Sequence, residues 1–267
     1  AAMYGKIRFS LDNRYLATGI NSEGGGQSDI WVYDLSRNVG SRLTFDEARD
    51  TNPVWSPDGK QIAFTSNRGG KSGIFVRSTD GRGDAELLIT LEGQCVVQDW
   101  SLDGKYIAFD YGIGKNDVWI LNLEDGKSFA LVSSEFDVGY TRFSPDGNWI
   151  GYISNEAGKY ELYLTRFPSG EGKWQLSKEG ADWLLGWNDA GTELSYLDLE
   201  GNLAIAKVAF GDQVVADLPA MLFSTRAGDT WDSTSDGSSF ILGVPDDAGD
   251  DFPITLIVNW DRGGQAD

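Results

Sequence analysis

The chain has 267 residues with 41 acidic and 22 basic side chains, a formal charge of −19, and one cysteine but no histidine. Such a charge leaves no basic surface to replace counterions along phosphates, which excludes a nucleic-acid binder. Without histidine there is no Ser-His or Cys-His pair and no His-ligated zinc, and Cys95 alone can form neither an internal disulfide nor a CxxC knuckle.

Cys95 reads as a small buried apolar residue. No apolar run approaches the ~20 residues of a membrane helix. No charged-then-apolar leader opens the chain, although a cleaved leader would leave no trace. Apolar residues make up 40% and aromatics 12%, enough to fill the core of one domain over residues 1–267.

One pattern returns along the whole sequence. It reads Phe9-Ser10-Leu11-Asp12-Asn13, then Trp55-Ser56-Pro57-Asp58-Gly59, Trp100-Ser101-Leu102-Asp103-Gly104 and Phe143-Ser144-Pro145-Asp146-Gly147. Two weaker copies follow, Trp187-Asn188-Asp189-Ala190-Gly191 and Ser233-Thr234-Ser235-Asp236-Gly237. Successive copies lie 46, 45, 43, 44 and 46 residues apart. In each, a strand ends in Trp or Phe and a tight turn reverses it. Pro presets φ, Asp bonds back to the backbone, and Gly accepts the left-handed conformation.

Further strands are expected in chain order after each turn. The first repeat places them at 15–20, 29–35 and 41–45; the second at 61–66, 73–78 and 86–90. The third gives 106–110, 117–123 and 129–132, and the fourth 149–154, 161–167 and 174–177. The fifth gives 193–197 and 202–208, the sixth 239–244 and 254–260. Nowhere do apolar residues recur at helical spacing for three turns. Four strands per ~44 residues around an axis describe a β-propeller blade. The expected fold is all-β: a six-bladed β-propeller of four-stranded antiparallel blades, the last blade three-stranded. That shortfall leaves the run from Ile254 to Trp260 as an apolar edge, open to a partner strand or to a segment upstream of Ala1.

The stretch Leu43-Thr44, Asp50 and Pro53-Val54-Trp55-Ser56-Pro57-Asp58-Gly59-Lys60-Gln61-Ile62-Ala63-Phe64-Thr65-Ser66-Asn67-Arg68 resembles the repeat of TolB-type propellers, which are WD-repeat-like. The ending Pro253-Ile254-Thr255-Leu256-Ile257-Val258-Asn259-Trp260 is similar to the final strand of propellers carried by bacterial serine/threonine kinases of eukaryotic type. The TolB resemblance implies a bacterial protein, often extracytoplasmic, and does not imply an enzyme.

Catalytic signatures are missing. Gly24-Gly25-Gly26 and Gly112-Ile113-Gly114-Lys115 join strands and read as hairpin tips, not phosphate loops. No Gly-x-Ser-x-Gly elbow seats a nucleophile, and the adjacent Asp-Gly of the repeat departs from the sialidase box. No cofactor is expected. Asp246, Asp247, Asp250 and Asp251 crowd one loop as a weak calcium candidate, but their spacing matches no calcium loop and plain solvation fits it.

The loops at one face hold twenty acidic and seven basic residues, and the turns at the other are short and regular. Asp50, Tyr111, Tyr140, Asp182, Trp183 and Trp231 on the loop face are the candidate binding residues, suited to a basic protein or peptide. The competing reading is that these aromatics pack between blades and the charge maintains solubility. The residue before each Trp/Phe position reads Arg8, Val54, Asp99, Arg142, Gly186 and Asp232. These should line a channel, with Arg8 and Asp232 bridging the ring closure and Asp99 neighbouring Arg142. Two functions fit: a non-catalytic interaction module, or an accessory or ligand-sensing propeller of a larger kinase or peptidase.

Overall fold

In the computed structural model the repeated turn is a built polar unit. Ser56 Oγ donates to Asp58 Oδ1 (2.7 Å) and accepts from the backbone N of Gln61 (2.9 Å), while Asp58 Oδ1 also accepts from Lys60 N (3.1 Å). Ser10 with Asp12, Ser101 with Asp103, Ser144 with Asp146 and Thr234 with Asp236 repeat it. In the fifth copy Asn188 takes over, its Oδ1 accepting from Thr192 N and Glu193 N. The hydroxyls of Ser10, Ser56 and Thr234 hold the carboxyls of Asp12, Asp58 and Asp236 below their usual range. Asn13 stands at φ 56° where the later copies use glycine.

The structure describes residues 3–22, 26–211, 213–224, 231–234, 236–243 and 254–257. The first blade is β1 (Met3–Phe9), β2 (Tyr15–Asn21), β3 (Ser28–Asp34) and β4 (Val39–Arg42). The second is β5 (Asp50–Trp55), β6 (Gln61–Ser66), β7 (Ser72–Ser78) and β8 (Glu86–Leu91), with a 3₁₀ turn at Arg68–Gly70. The third is β9 (Gln94–Trp100), β10 (Tyr106–Gly112), β11 (Asp117–Asn122) and β12 (Ser128–Val132). The fourth is β13 (Val138–Phe143), β14 (Trp149–Ser154), β15 (Glu161–Arg166) and β16 (Trp174–Gln175). The fifth has β17 (Trp183–Trp187), β18 (Glu193–Leu197) and the long β19 (Asn202–Phe210), which pairs with both β20 (Val214–Ala216) and β21 (Ala220–Ser224). The last sheet is β22 (Trp231–Ser233), β23 (Phe240–Gly243) and β24 (Ile254–Ile257). Within each blade the paired strands run antiparallel.

The expectation of six blades is corrected here. The structure completes five blades of four or more strands; the segment after them forms a closing sheet of three strands among the described residues. β1 cannot complete that sheet, because it is spent as the innermost strand of the first blade, paired with β2. Residues 258–260 of the expected apolar edge lie outside the described residues. Innermost strands pack in succession, and β22 touches both β17 and β1 to close the ring.

Apolar clusters fill the seams. The largest, with Trp149, Leu184 and Trp187, lies between the fourth and fifth blades. The smallest joins Ile241 of the closing sheet to Ile7 and Leu16. Cys95 is buried between the second and third blades, 3.2 Å from Ser72 Oγ, and burial pushes its thiol up.

Each innermost strand of the five complete blades carries a register shift against its neighbour, as between Thr51 and Val54, or Gly139 and Arg142. Such bulges kink a strand and re-aim its side chains. Asn52 (φ 53°) and Tyr140 (φ 56°) occupy two of them, at the channel.

Candidate functional site

The channel has a charged waist. Arg8 Nη1 lies 3.3 Å from Asp232 Oδ1, and Asp232 Oδ2 accepts from Phe9 N at 2.7 Å, so the structure brings these two residues together across the closure. Asp99 and Arg142 are placed differently. Asp99 Oδ2 accepts from Phe143 N (2.8 Å), whereas Arg142 donates from Nε to Leu185 O (2.8 Å) and from Nη1 to Gln98 O (2.8 Å) and Thr141 O (2.9 Å). Its guanidinium thus ties the third, fourth and fifth blades. Trp55 Nε1 donates to Arg8 O (3.0 Å) and Trp187 Nε1 to Arg142 O (3.4 Å), so the second and fifth blades each bond the blade before them, whereas Trp100 Nε1 donates to Gly104 O within its own turn. Burial raises the carboxyls of Asp99 and Asp232 and, with Arg8 nearby, lowers Arg142 to about 10.

Two cavities open from this waist. The turn-face cup is about 170 Å³, lined by Trp55, Trp100, Phe143 and Trp187 above Arg8, Asp99, Arg142 and Asp232. The loop-face funnel is about 480 Å³, and Lys6, Asp110, Asp137, Tyr140, Asp182 and Trp183 carry its chemistry.

The funnel is assembled from all five complete blades. Tyr140 and Trp183 form one wall, ring centroids 4.6 Å apart, and buried Trp231 stands behind Trp183 at 5.4 Å. At the floor, Asp110 Oδ2 accepts from Tyr140 N (3.2 Å) and from Gln98 Nε2. Asp110 Oδ1 is buried without a partner. Lys6 Nζ donates to Gln98 Oε1 (2.5 Å) and stands 5.6 Å from the Tyr140 ring centroid. Gly139 makes this possible, because a Cβ there would meet Asp110 Oδ2 at 2.7 Å. Burial pushes the Asp110 carboxyl up to about 7 against the pull of Lys6, the Tyr140 N–H, Gln98 and Arg142. Burial also drives Lys6 well below its ordinary value, with Arg8 and Arg142 adding repulsion. Asp137 is held, its Oδ1 accepting from Asn116 N (2.7 Å) and its Oδ2 from Tyr160 Oη (2.8 Å).

Tyr140, Asp182 and Trp183, expected from sequence, meet at this funnel. Asp50 does not join them: it is fully buried, accepting from Ser66 Oγ (2.7 Å) and pairing with Arg68 Nη2 (2.5 Å), and so fixes the start of β5. Tyr111 packs edge-on against Trp119 within the third blade, and Trp231 supports the wall without lining it. Asp246, Asp247, Asp250 and Asp251 lie outside the described residues. Sequence reading missed Lys6 and Gln98 and left Asp110 and Asp137 among the loop acids. A signal for Asp110 existed: the matching place in β2, β6, β14 and β18 holds Gly19, Thr65, Ile153 and Leu197, and only the third blade puts a carboxylate there.

Residues 2–111 match the TolB beta propeller domain family. The chain is 26% identical over 180 residues to the uncharacterized peptidase YuxL of Bacillus subtilis, covering 53% of this chain and 27% of that protein. It is 28% identical over 156 residues to the Tol-Pal system protein TolB of Francisella tularensis, covering 57% of this chain and 35% of that protein. It therefore spans about a third or less of these relatives' length. The crystal structure of TolB from Acinetobacter baumannii superimposes with a TM-score of 0.72 at 15% identity, covering 95% of this chain and 63% of that one. The chain is a β-propeller that resembles the TolB type over residues 2–111. Among the described residues no helix is long and apolar enough to cross a membrane.

Proposed function

We propose that this TolB-like propeller is a non-catalytic interaction module that receives a basic protein or peptide segment at its loop-face funnel. The observation that carries the reading is the Tyr140–Trp183 wall set among Asp110, Asp137 and Asp182 at one open mouth. Aromatic walls give area at low entropic cost, and surrounding carboxylates select cations and steer them in. An extracytoplasmic setting belongs to the same proposal and follows the TolB likeness.

Titrating the protein with an oligo-lysine peptide, with oligo-glutamate as control, tests this through tryptophan fluorescence. Oligo-lysine should bind at low salt, weaken as salt screens exposed charge, and lose affinity in Trp183→Ala. Equal binding of both peptides, or of neither, overturns it.

A second reading has one observation in its favour. The match to YuxL covers about a quarter of that protein, as an accessory propeller of a larger peptidase would. Sequencing the flanking gene decides it, since an adjoining peptidase domain would make the funnel part of a composite site.

A further inference from the structure

The floor of the funnel is more specific than its rim. Asp110 is 6% exposed and lines an open cavity of about 480 Å³; one carboxylate oxygen is satisfied by Tyr140 N and Gln98, and the other, Oδ1, is buried with no donor. A buried acceptor left without a donor is costly, and a charged donor supplies the strongest replacement. Lys6 acts on this carboxylate through its charge and makes no hydrogen bond to Oδ1; its ammonium donates to the Gln98 side-chain oxygen. Lys6 instead shows that the Tyr140 ring accepts an ammonium beside it.

We infer that the funnel receives one extended basic side chain from the partner, its cationic head reaching Asp110 Oδ1 at the floor and its stem lying along Tyr140 and Trp183. The inference rests on the interaction-module reading and narrows it to a single inserted lysine or arginine. Charge favours a cation over an anion: Asp110, Asp137 and Asp182 face the lone ammonium of Lys6. Asp137 already has both oxygens engaged, so the floor offers a single free carboxylate oxygen to a donor. A lysine stem has the apolar length and the rotatable donors to span rim and floor, and its methylenes suit the aromatic wall.

The test uses the intact chain and a basic nonapeptide whose central residue is lysine, norleucine or 2,3-diaminopropionate, the flanking basic residues being unchanged. The lysine peptide should bind about tenfold more tightly than either other peptide, because only it carries a charge to full depth. Asp110→Asn should bring the three to a common affinity, with circular dichroism confirming the fold; the series on the unaltered protein needs no variant. Affinity for the lysine peptide should also rise from pH 6 to pH 8 as Asp110, faced by Lys6 from β1, Gln98 from β9 and Tyr140 and Arg142 from β13, loses its proton. If the three peptides bind alike, the inserted side chain is wrong while the interaction module stands. If none binds, and oligo-lysine also fails, the module reading falls with it.

Discussion

At the turn-face mouth each of the five complete blades contributes its Trp or Phe from the same register, above the Arg and Asp side chains of the waist. Asp99 and Asp232 there each accept a backbone N–H from the next strand around the ring. At the loop-face mouth the residues come from unlike positions: a bulge tyrosine, a strand-start tryptophan, a lysine from β1 and an aspartate within β10. The first mouth is made by what the repeats share and the second by where they differ. Shared positions close seams between neighbouring blades, although Arg8 Nη2 and Arg142 Nη2 stay buried there without a partner. The departures leave an unsatisfied oxygen and an aromatic wall, which is the form a binding site takes on a rigid scaffold.

That contrast can be broken at the turn-face side first. Asp232→Ala removes an acceptor for both Arg8 and Phe9 N at the thinnest seam, and should cost about 3–5 kcal/mol in urea unfolding, as for a buried pair losing one member. A loss below about 1 kcal/mol would show that the closure does not depend on this pair. On the loop-face side, Gly139→Ala sets a methyl against the Asp110 carboxylate and should cost about 1–3 kcal/mol. Adding Asp110→Ala should return part of that loss, and strict additivity in the double-mutant cycle would show that the two positions do not touch.

The sign of a third effect separates the mouths. Burial raises the folded pKa of Asp110 above its unfolded value, so its ionisation opposes folding: the penalty is absent below the ordinary pKa and grows as pH rises toward and through about 7. Asp110→Asn should therefore raise the melting temperature more at pH 8 than at pH 4.5, and a difference of the opposite sign would show a carboxylate stabilised by Lys6 and Arg142. Smallest are the repeat turns: Ser56→Ala, Ser101→Ala and Ser144→Ala should each cost about 1 kcal/mol, alike within experimental error. A tenfold spread in their unfolding constants would mean the turns are not equivalent.

Much of the fold was legible because the Ser-x-Asp-Gly turn is a local device. Its hydrogen bonds run among residues two to five apart, so Ser56, Asp58 and Gln61 announce it without tertiary context. The Arg8–Asp232 contact was readable for a related reason, as a shared register carried around the ring. The number of complete blades was not, since the sixth turn carries the same local signal as the others while its sheet has three strands among the described residues. The acid count drew Asp50 to the binding face, yet burial beside Arg68 makes it a brace; sequence does not show which way an acid at a strand start turns. Tyr140 and Trp183 could be nominated from loop position, but Lys6 and Asp110, 104 residues apart, meet only once the ring is closed.

The guanidinium of Arg142 has a consequence for traffic. Bound to carbonyls of β9, β13 and β17, it lies as a crossbar at mid-depth, with Arg8 and Asp232 on the remaining arc. The propeller is consequently a pair of back-to-back vessels sharing a base, not a pipe. The two share no lining residue, so what fills one touches none of the side chains that line the other.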